Sequence, residues 1–571
     1  MNRQSDHWQR PSVRRVSRRR VMGIFSAGAV AAYLAACGGD SGESTSGESQ
    51  PQGGQQSAAP ATPLAGAQGE VTQFQQGTFG GKMTIGVTLE TGTLDTAIPL
   101  SGGDTVFLAT MYNPLLTIDH FVPNPELSLA QKYEVVDPTT LTFTLRQGVK
   151  FHDGSDFNAE AVKYNMTRIL DPATRSAARS SILDLDHVEV VDPQTVKFIL
   201  KQPNAAILNA GGITSVYGGG MASPTAVEKW GKEFTSHPVG TGPFIFDQWV
   251  PGSHVAVKRN PSYWEKDAAG KALPYLDEVR IQAIPDDTVR YANLQTGDVH
   301  YAGIGTKDWA AAEKNPDLTM VKGLPGGGVP SVLVFNMDKA PADNLNIRKA
   351  MAFALDPSVV AKNVYFGYAE PADGGMRQKG SWSYGPVPGR ATYDVAKSKE
   401  FLKAAGVPDG FSTDVITYTS PSINQQTEIY QEQWSKVGIQ TTITTQDVTT
   451  GTDSFFVKGL FPAYSTSWGG TSYEPNGVVT LIYAKDGYYN PMKRAVSPEL
   501  DELGVKARST YDLEERKKLY QRIEEIVLVE QCFFMPMLYT QNRGWYRKNV
   551  GNADIFPWFG VNRLQSYFLK S

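Results

Sequence analysis

Two apolar spacings alternate along most of this chain, and one stretch near its start has almost no large apolar residue. Lys82-Met83-Thr84-Ile85-Gly86-Val87 alternates with period two, the pattern of a half-buried strand opening a folded region. Tyr133 to Leu145 and Val188 to Leu200 then repeat one design: a β-branched run, an Asp-Pro pair that presets a turn, and a second alternating run. Each predicts a hairpin, and together they predict a mixed sheet region within 120–205. Between them Asn158, with Glu160 and Ala161 behind it, marks a helix start after the glycine turn at Asp153-Gly154. Farther on, Ile347, Ala350, Met351 and Ala354 share one helical face. Asp394 caps a helix carrying Phe401, Leu402 and Ala405 that stops at Gly406. Asp512 to Glu515 forms a capping box ahead of Leu519, Ile523 and Ile526. Strand-like runs at Val332 to Phe335, Ser412 to Thr419 and Gln440 to Thr445 alternate with these helices, so the second half predicts α/β.

The start of the chain follows other rules. Arg14, Arg15, Arg18, Arg19 and Arg20 precede an apolar run from Val21 to Ala36, which is too short for a membrane span and ends in small residues. That is the architecture of an export signal over 1–36. Ser17-Arg18-Arg19-Arg20-Val21-Met22 resembles a twin-arginine motif, and Leu34-Ala35-Ala36-Cys37 resembles the lipobox of bacterial lipoproteins. The second resemblance implies a lipid on Cys37 that anchors the mature chain to a membrane outside the cytoplasm, in the periplasm or at the cell surface. Residues 37–75 are rich in Gly, Ser, Gln, Ala and Pro, cannot bury enough surface to offset ordering, and predict a disordered tether. A coil of that length reaches about 30 to 35 Å.

Composition narrows the function. Without 1–36 the chain holds 47 basic and 57 acidic residues, a net charge of −10 that argues against nucleic acid as a partner. Cys37 and Cys532 are its two cysteines, so disulfides do not hold the fold; Cys532, within Phe533-Phe534-Met535 and its neighbours, reads as a buried inert thiol. The seven histidines show no metal-ligand spacing, Gly77 to Lys82 lacks the spacing of a phosphate loop, and no nucleophile elbow occurs. No cofactor, metal or catalytic residue is assigned, and the protein is expected not to be an enzyme; a surface-anchored hydrolase is the competing class.

One run carries a family resemblance. Leu145 to Val162, with Phe151-His152-Asp153-Gly154 at its centre, is similar to the signature of the family 5 solute-binding proteins of ABC importers. Further similar motifs follow in order: Pro238 to Phe244, Trp249 to Gly252, Arg259 to Trp264, Tyr275 to Val279, Leu294 to Asp298, Phe335 to Asp338, Ile347 to Ala350 and Phe353 to Asp356. The resemblance covers roughly 82–565. It implies a two-lobed α/β periplasmic-binding-protein-like fold, with an extra subdomain in the first lobe and a hinged cleft. Lobe I would take 76–285 plus 533–571 and lobe II 286–532, with hinge strands near Ile281 to Pro285 and Phe534 to Leu538. It also implies a monomer that delivers a small organic solute to permease and ATPase subunits of an ABC importer.

The same resemblance directs attention to Ser465 to Asn476. In dipeptide and oligopeptide members a matching Trp is followed three residues later by an aspartate that pairs with the ligand's ammonium group. Here Trp468 is followed by Gly469, Gly470 and Thr471, and a hydroxyl does not replace that charge. Glu474 is the nearest acidic residue, at a position with a structural look. The run Thr417 to Gln426, where dipeptide members supply an arginine for the ligand carboxylate, has neither Arg nor Lys. Tyr418, Asn424, Trp468, Gly469, Gly470, Thr471, Trp382 and Tyr384 are therefore expected to form a neutral ligand site. It would suit a peptide held through its backbone or an oligosaccharide stacked on Trp468.

Overall fold

The computed structural model describes residues 75–98, 104–119, 122–176, 178–209, 211–322, 329–376, 381–468, 474–485, 487–541, 543–553 and 563–570. The expected signal, Cys37 and the tether lie outside them. Three sheets organise the rest.

The first sheet has seven strands in the order Leu318–Lys322, Arg543–Arg547, Tyr301–Ala302, Lys82–Val87, Glu278–Ala283, His254–Arg259, Phe244–Val250. Lys82–Val87 is its centre and runs parallel to both Glu278–Ala283 and Tyr301–Ala302. Met83 and Ile85 on one face of that strand join Phe244, Val255, Val257, Val279 and Ile281 in a core closed by Phe107, Leu108 and Met111 of the helix Asp104–Met111.

The two echoing segments form the second sheet, four strands in the order Ala130–Asp137, Thr140–Leu145, Thr195–Leu200, Leu185–Asp192. Both hairpins form as expected. Asp137 accepts from the amide of Thr139 at 2.8 Å, and Asp192 from that of Gln194 at 2.7 Å, so each aspartate closes its own turn. The sheet is antiparallel throughout, not mixed, because the inner strands of the hairpins pair with each other in opposite directions. Leu141, Phe143, Leu145, Val196, Phe198 and Leu200 point to one face, which the helix Ala159–Leu170 covers; Asn158 caps that helix through the amide of Ala161 at 3.1 Å.

Two family-like motifs are fastened here. His152 Nε2 donates to the carbonyl of Gly242 at 2.9 Å, and its Nδ1 accepts the amide of Gly240 at 3.4 Å. Only the neutral ring makes both bonds, and burial lowers its pKa to about 4. Gly240 must be glycine for space: a Cβ there would lie 2.2 Å from the carbonyl oxygen of Met111.

The third sheet has six strands in the order Ala369–Pro371, Phe534–Thr540, Pro330–Phe335, Ala463–Ser467, Phe411–Tyr418, Ile439–Gln446. Its central strand Pro330–Phe335 is buried at every position, so helices cover both faces. Those include Leu345–Phe353, Val395–Ala404, Pro421–Ser435, Pro498–Ser509 and Leu513–Glu525. Asp394 and Asp512 cap two of them through the amides of Lys397 and Glu515, as expected. Cys532 is buried beside the sheet, and burial pushes its thiol up to about 11.

Tyr301–Ala302 and Leu318–Lys322 pair in the first sheet, with Lys82–Val87 and Arg543–Arg547. Phe534–Thr540 pairs with Pro330–Phe335 in the third. The strands thus pass from the first sheet to the third after Lys322 and back to the first after Thr540. Apolar alternation marks a strand but not the sheet that receives it.

Candidate functional site

The strand Phe411–Tyr418 runs parallel to Ile439–Gln446 on one side and to Ala463–Ser467 on the other. Their carboxyl ends, at Tyr418, Gln446 and Ser467, thus share one edge of the third sheet. In open α/β sheets that edge is where ligands bind, because the loops and helix starts that follow the strands leave a crevice. Tyr418 and Ser467 meet across it with their hydroxyl oxygens 2.6 Å apart. The antiparallel neighbour begins at the same edge: Ser331 lies opposite Ser467, and the amide of Trp468 donates to the carbonyl of Pro330 at 3.0 Å.

The helix Pro421–Ser435 starts three residues beyond Tyr418, which puts Asn424 in its first turns at the same edge. The Oδ1 of Asn424 is buried with no hydrogen-bond partner among the described residues. An unmet buried acceptor costs about 1 to 3 kcal/mol. One turn deeper the polar groups are satisfied: Ser331 Oγ donates to Gln426 at 2.6 Å and Thr427 Oγ1 donates to Ser465 at 2.8 Å. The segments 417–426 and 463–468 contain no charged residue.

Trp468 is 9% exposed. Tyr489 and Phe534 meet its ring edge-on, with centroids at 4.5 and 6.2 Å, so the protein itself covers most of the face expected to stack on a ligand. Its indole nitrogen is buried and has no partner among the described residues. Gly469, Gly470 and Thr471 lie outside the described residues.

Trp382 and Tyr384 each make contacts of their own. Tyr384 Oη donates to Asp373 at 2.9 Å, and burial, with that carboxylate, raises its pKa to about 12. Trp382 meets Tyr520 edge-on at 6.0 Å and carries the Arg516 guanidinium 5.2 Å from its ring centre. Arg516 in turn holds Glu474. Nη2 of Arg516 lies 2.6 Å from Glu474 Oε1, which also accepts from Tyr520 Oη at 3.1 Å and from the amide of Asn476 at 3.1 Å. Both side chains are about 95% buried, at 4% and 5% exposure. Burial works against the charge on Arg516, but Glu474 outweighs it, and the guanidinium's pKa is raised. Glu474 is thus already paired by Arg516 within the protein.

Sequence reasoning passed over Arg516, reading its helix only as a stripe of Leu519, Ile523 and Ile526. The signal was there: Arg516 sits three residues before Leu519, a cation on the apolar face, and such a residue needs a buried counter-charge. In the first lobe, Glu90 follows the central strand and accepts from Trp249 Nε1 at 3.0 Å and from the amide of Gly252 at 2.9 Å, which explains the Trp249-Val250-Pro251-Gly252 motif as a fastening.

Residues 124–490 match the family described as bacterial extracellular solute-binding proteins, family 5. The glutathione-binding protein GsiB of Escherichia coli O1:K1 is 32% identical over 445 residues, covering 75% of this chain and 83% of that protein. Among solved structures, the binding protein AgaA from A. tumefaciens R10, in complex with agropinic acid, superposes with a TM-score of 0.70 at 25% identity over 86% of this chain and 99% of that one. The periplasmic binding protein DppA from Helicobacter pylori, in complex with the peptide STSA, superposes with a TM-score of 0.71 at 23% identity, again over 86% and 99%.

Proposed function

Because this chain belongs to the bacterial extracellular solute-binding proteins of family 5, we propose that it captures a small peptide-like solute between two lobes and passes it to an ABC importer. The lobes are assigned here as 76–322 with 543–571, and 329–541, following the sheets. The partners are a permease pair in the membrane and ATPase subunits beyond it. A monomer tethered through lipid on Cys37 carries the solute outside the cytoplasm, and no covalent chemistry is involved. Among the described residues no helix is long and apolar enough to cross a membrane, which suits a chain held by an anchor.

The observation that carries the ligand reading is the pair of charge-free stretches 417–426 and 463–468 at the carboxyl edge of the third sheet, where Asp447 is engaged in capping the helix Val448–Thr452. Tyr418, Ser467 and the unmet acceptor of Asn424 offer hydrogen bonds without charge. Such a set favours amide and hydroxyl groups over the ammonium and carboxylate ends of a free dipeptide. The relative that binds glutathione makes a peptide-like solute the first choice. The neighbour solved with agropinic acid, together with the neutral site, keeps an oligosaccharide or related polyhydroxylated solute as the second.

The test is mass spectrometry of solute that co-purifies with the chain, followed by thermal shift with glutathione, free dipeptides, N-acetylated dipeptides and oligosaccharides. A ligand at a hundred times its Kd stabilises by about 2.7 kcal/mol. Stabilisation by free dipeptides that is lost on acetylation would refute the neutral site. Conversion of any of these compounds to product would refute the binding role in favour of a hydrolase.

A further inference from the structure

Away from the two chain crossings, the lobes also touch where the four-stranded sheet meets the turn between the helices Pro498–Ser509 and Leu513–Glu525. Tyr511, in that turn, packs against the core of the four-stranded sheet and donates from Oη to the carbonyl of Pro138 at 3.3 Å. Arg508 Nη1 lies 3.8 Å from Asp184 Oδ2, the two side chains 23% and 17% exposed. Asp184 is pre-set for this: Gln202 Nε2 donates to one of its oxygens at 2.7 Å and Asn204 Nδ2 to the other at 2.9 Å. Burial first, and Asp137 after it, raises the Tyr511 pKa to about 12, so the phenol stays a neutral donor.

The geometry points to a clasp: Arg508 and Tyr511 of the second lobe grip Asp184 and Pro138 of the first and hold the protein closed. Three features distinguish a clasp from a permanent seam. Beside the packing of Pro498–Ser509 on Ala205–Asn209, its polar grip is one phenol hydrogen bond and one long ion pair, both partly exposed. It is also incompletely satisfied, since Arg508 Nε and Asn204 Oδ1 are both buried without a partner among the described residues, and permanent interfaces pair such atoms. Finally, it is connected to the buried ion pair beneath Trp382. Arg516 Nε donates to the carbonyl of Ala507, next to Arg508, at 3.0 Å, while its Nη2 holds Glu474. A change at Glu474 therefore reaches the clasp through one side chain.

This inference rests on the capture reading only in that closure traps solute. The experiment separates the two. In the full chain carrying Cys37→Ser, labels are placed at Lys132→Cys and Lys436→Cys, both exposed and one on each lobe, and their distance distribution is measured without solute. Cys532 is buried and takes no label. Arg508→Ala and Tyr511→Ala should each lengthen or broaden the distribution, while Tyr511→Phe, which keeps the packing, should stay near the parent. Arg508 is partly exposed, so its variant keeps the test open even where Tyr511→Ala folds poorly. With an N-acetylated dipeptide amide as probe, Tyr511→Ala should weaken binding about tenfold, chiefly by faster dissociation. Unchanged distributions in both alanine variants would overturn the clasp. Failure of every solute to bind would overturn the capture reading and leave the distance result standing.

Discussion

Removing the carboxylate of Glu474 is the sharpest perturbation the structure offers. In Glu474→Gln the side-chain volume is nearly kept, so packing around Trp382 and Tyr520 changes little. What changes is charge. Arg516 stays 4% exposed and retains its bond to the carbonyl of Ala507, but its ion pair at 2.6 Å is gone. Breaking one partner of a buried pair costs about 3 to 5 kcal/mol, because the remaining charge is left in a poorly polarisable interior. Arg516→Met should be less harmful, since the freed carboxylate can take up a proton and keep its bonds from Tyr520 and Asn476. In the double variant Glu474→Gln with Arg516→Met, neither charge remains, and the loss should fall short of the sum of the singles by about 2 kcal/mol. Urea unfolding followed by tryptophan fluorescence reads all three, at low and at 1 M salt, and a buried pair should respond little to salt. A cost below about 1 kcal/mol for Glu474→Gln would refute the reasoning, because that is the range of exposed pairs.

Three further outcomes are expected. The His152 pKa lies at about 4 in the folded protein against 6.5 for an ordinary histidine. A lowered value means the unfolded chain binds the extra proton first, so this contribution, about 3 kcal/mol, is complete above pH 6.5 and is lost as pH falls toward 4. Denaturant midpoints across that window should show a slope that His152→Gln flattens. In a Cys37→Ser background, Cys532 should resist thiol reagents at pH 8, being buried with its pKa raised to about 11, and should react fully once urea unfolds the chain; rapid native labelling would contradict its burial. Gly240→Ala should destabilise by at least about 1 to 3 kcal/mol, since the backbone of Met111 must move to admit the methyl group.

Local structure was the most legible part of the sequence. The Asp-Pro hairpins, the caps at Asn158, Asp394 and Asp512, and the strands at Lys82, Val332 and Phe411 rest on short-range rules, and each is found where those rules put it. The ordered run of motifs also led to the family that the comparisons show. Sheet membership was not legible, because Leu318–Lys322 and Phe534–Thr540 are chosen by partners far away in sequence. The candidate site was legible in chemistry and only partly in geometry. Tyr418 and Ser467 meet at the carboxyl edge of the third sheet, Trp382 is engaged by Arg516, and Trp468 is enclosed by Tyr489 and Phe534. A sequence shows which residues are aromatic, but not which of their faces the core will take.

The central claim is that this protein works by closing two lobes on a solute that it leaves unchanged. Small-angle scattering of the purified chain, with and without a saturating solute identified by co-purification, tests it directly. The account predicts a smaller radius of gyration on binding and recovery of the solute intact. The same radius with and without the bound solute, or recovery of a cleaved product, would contradict it.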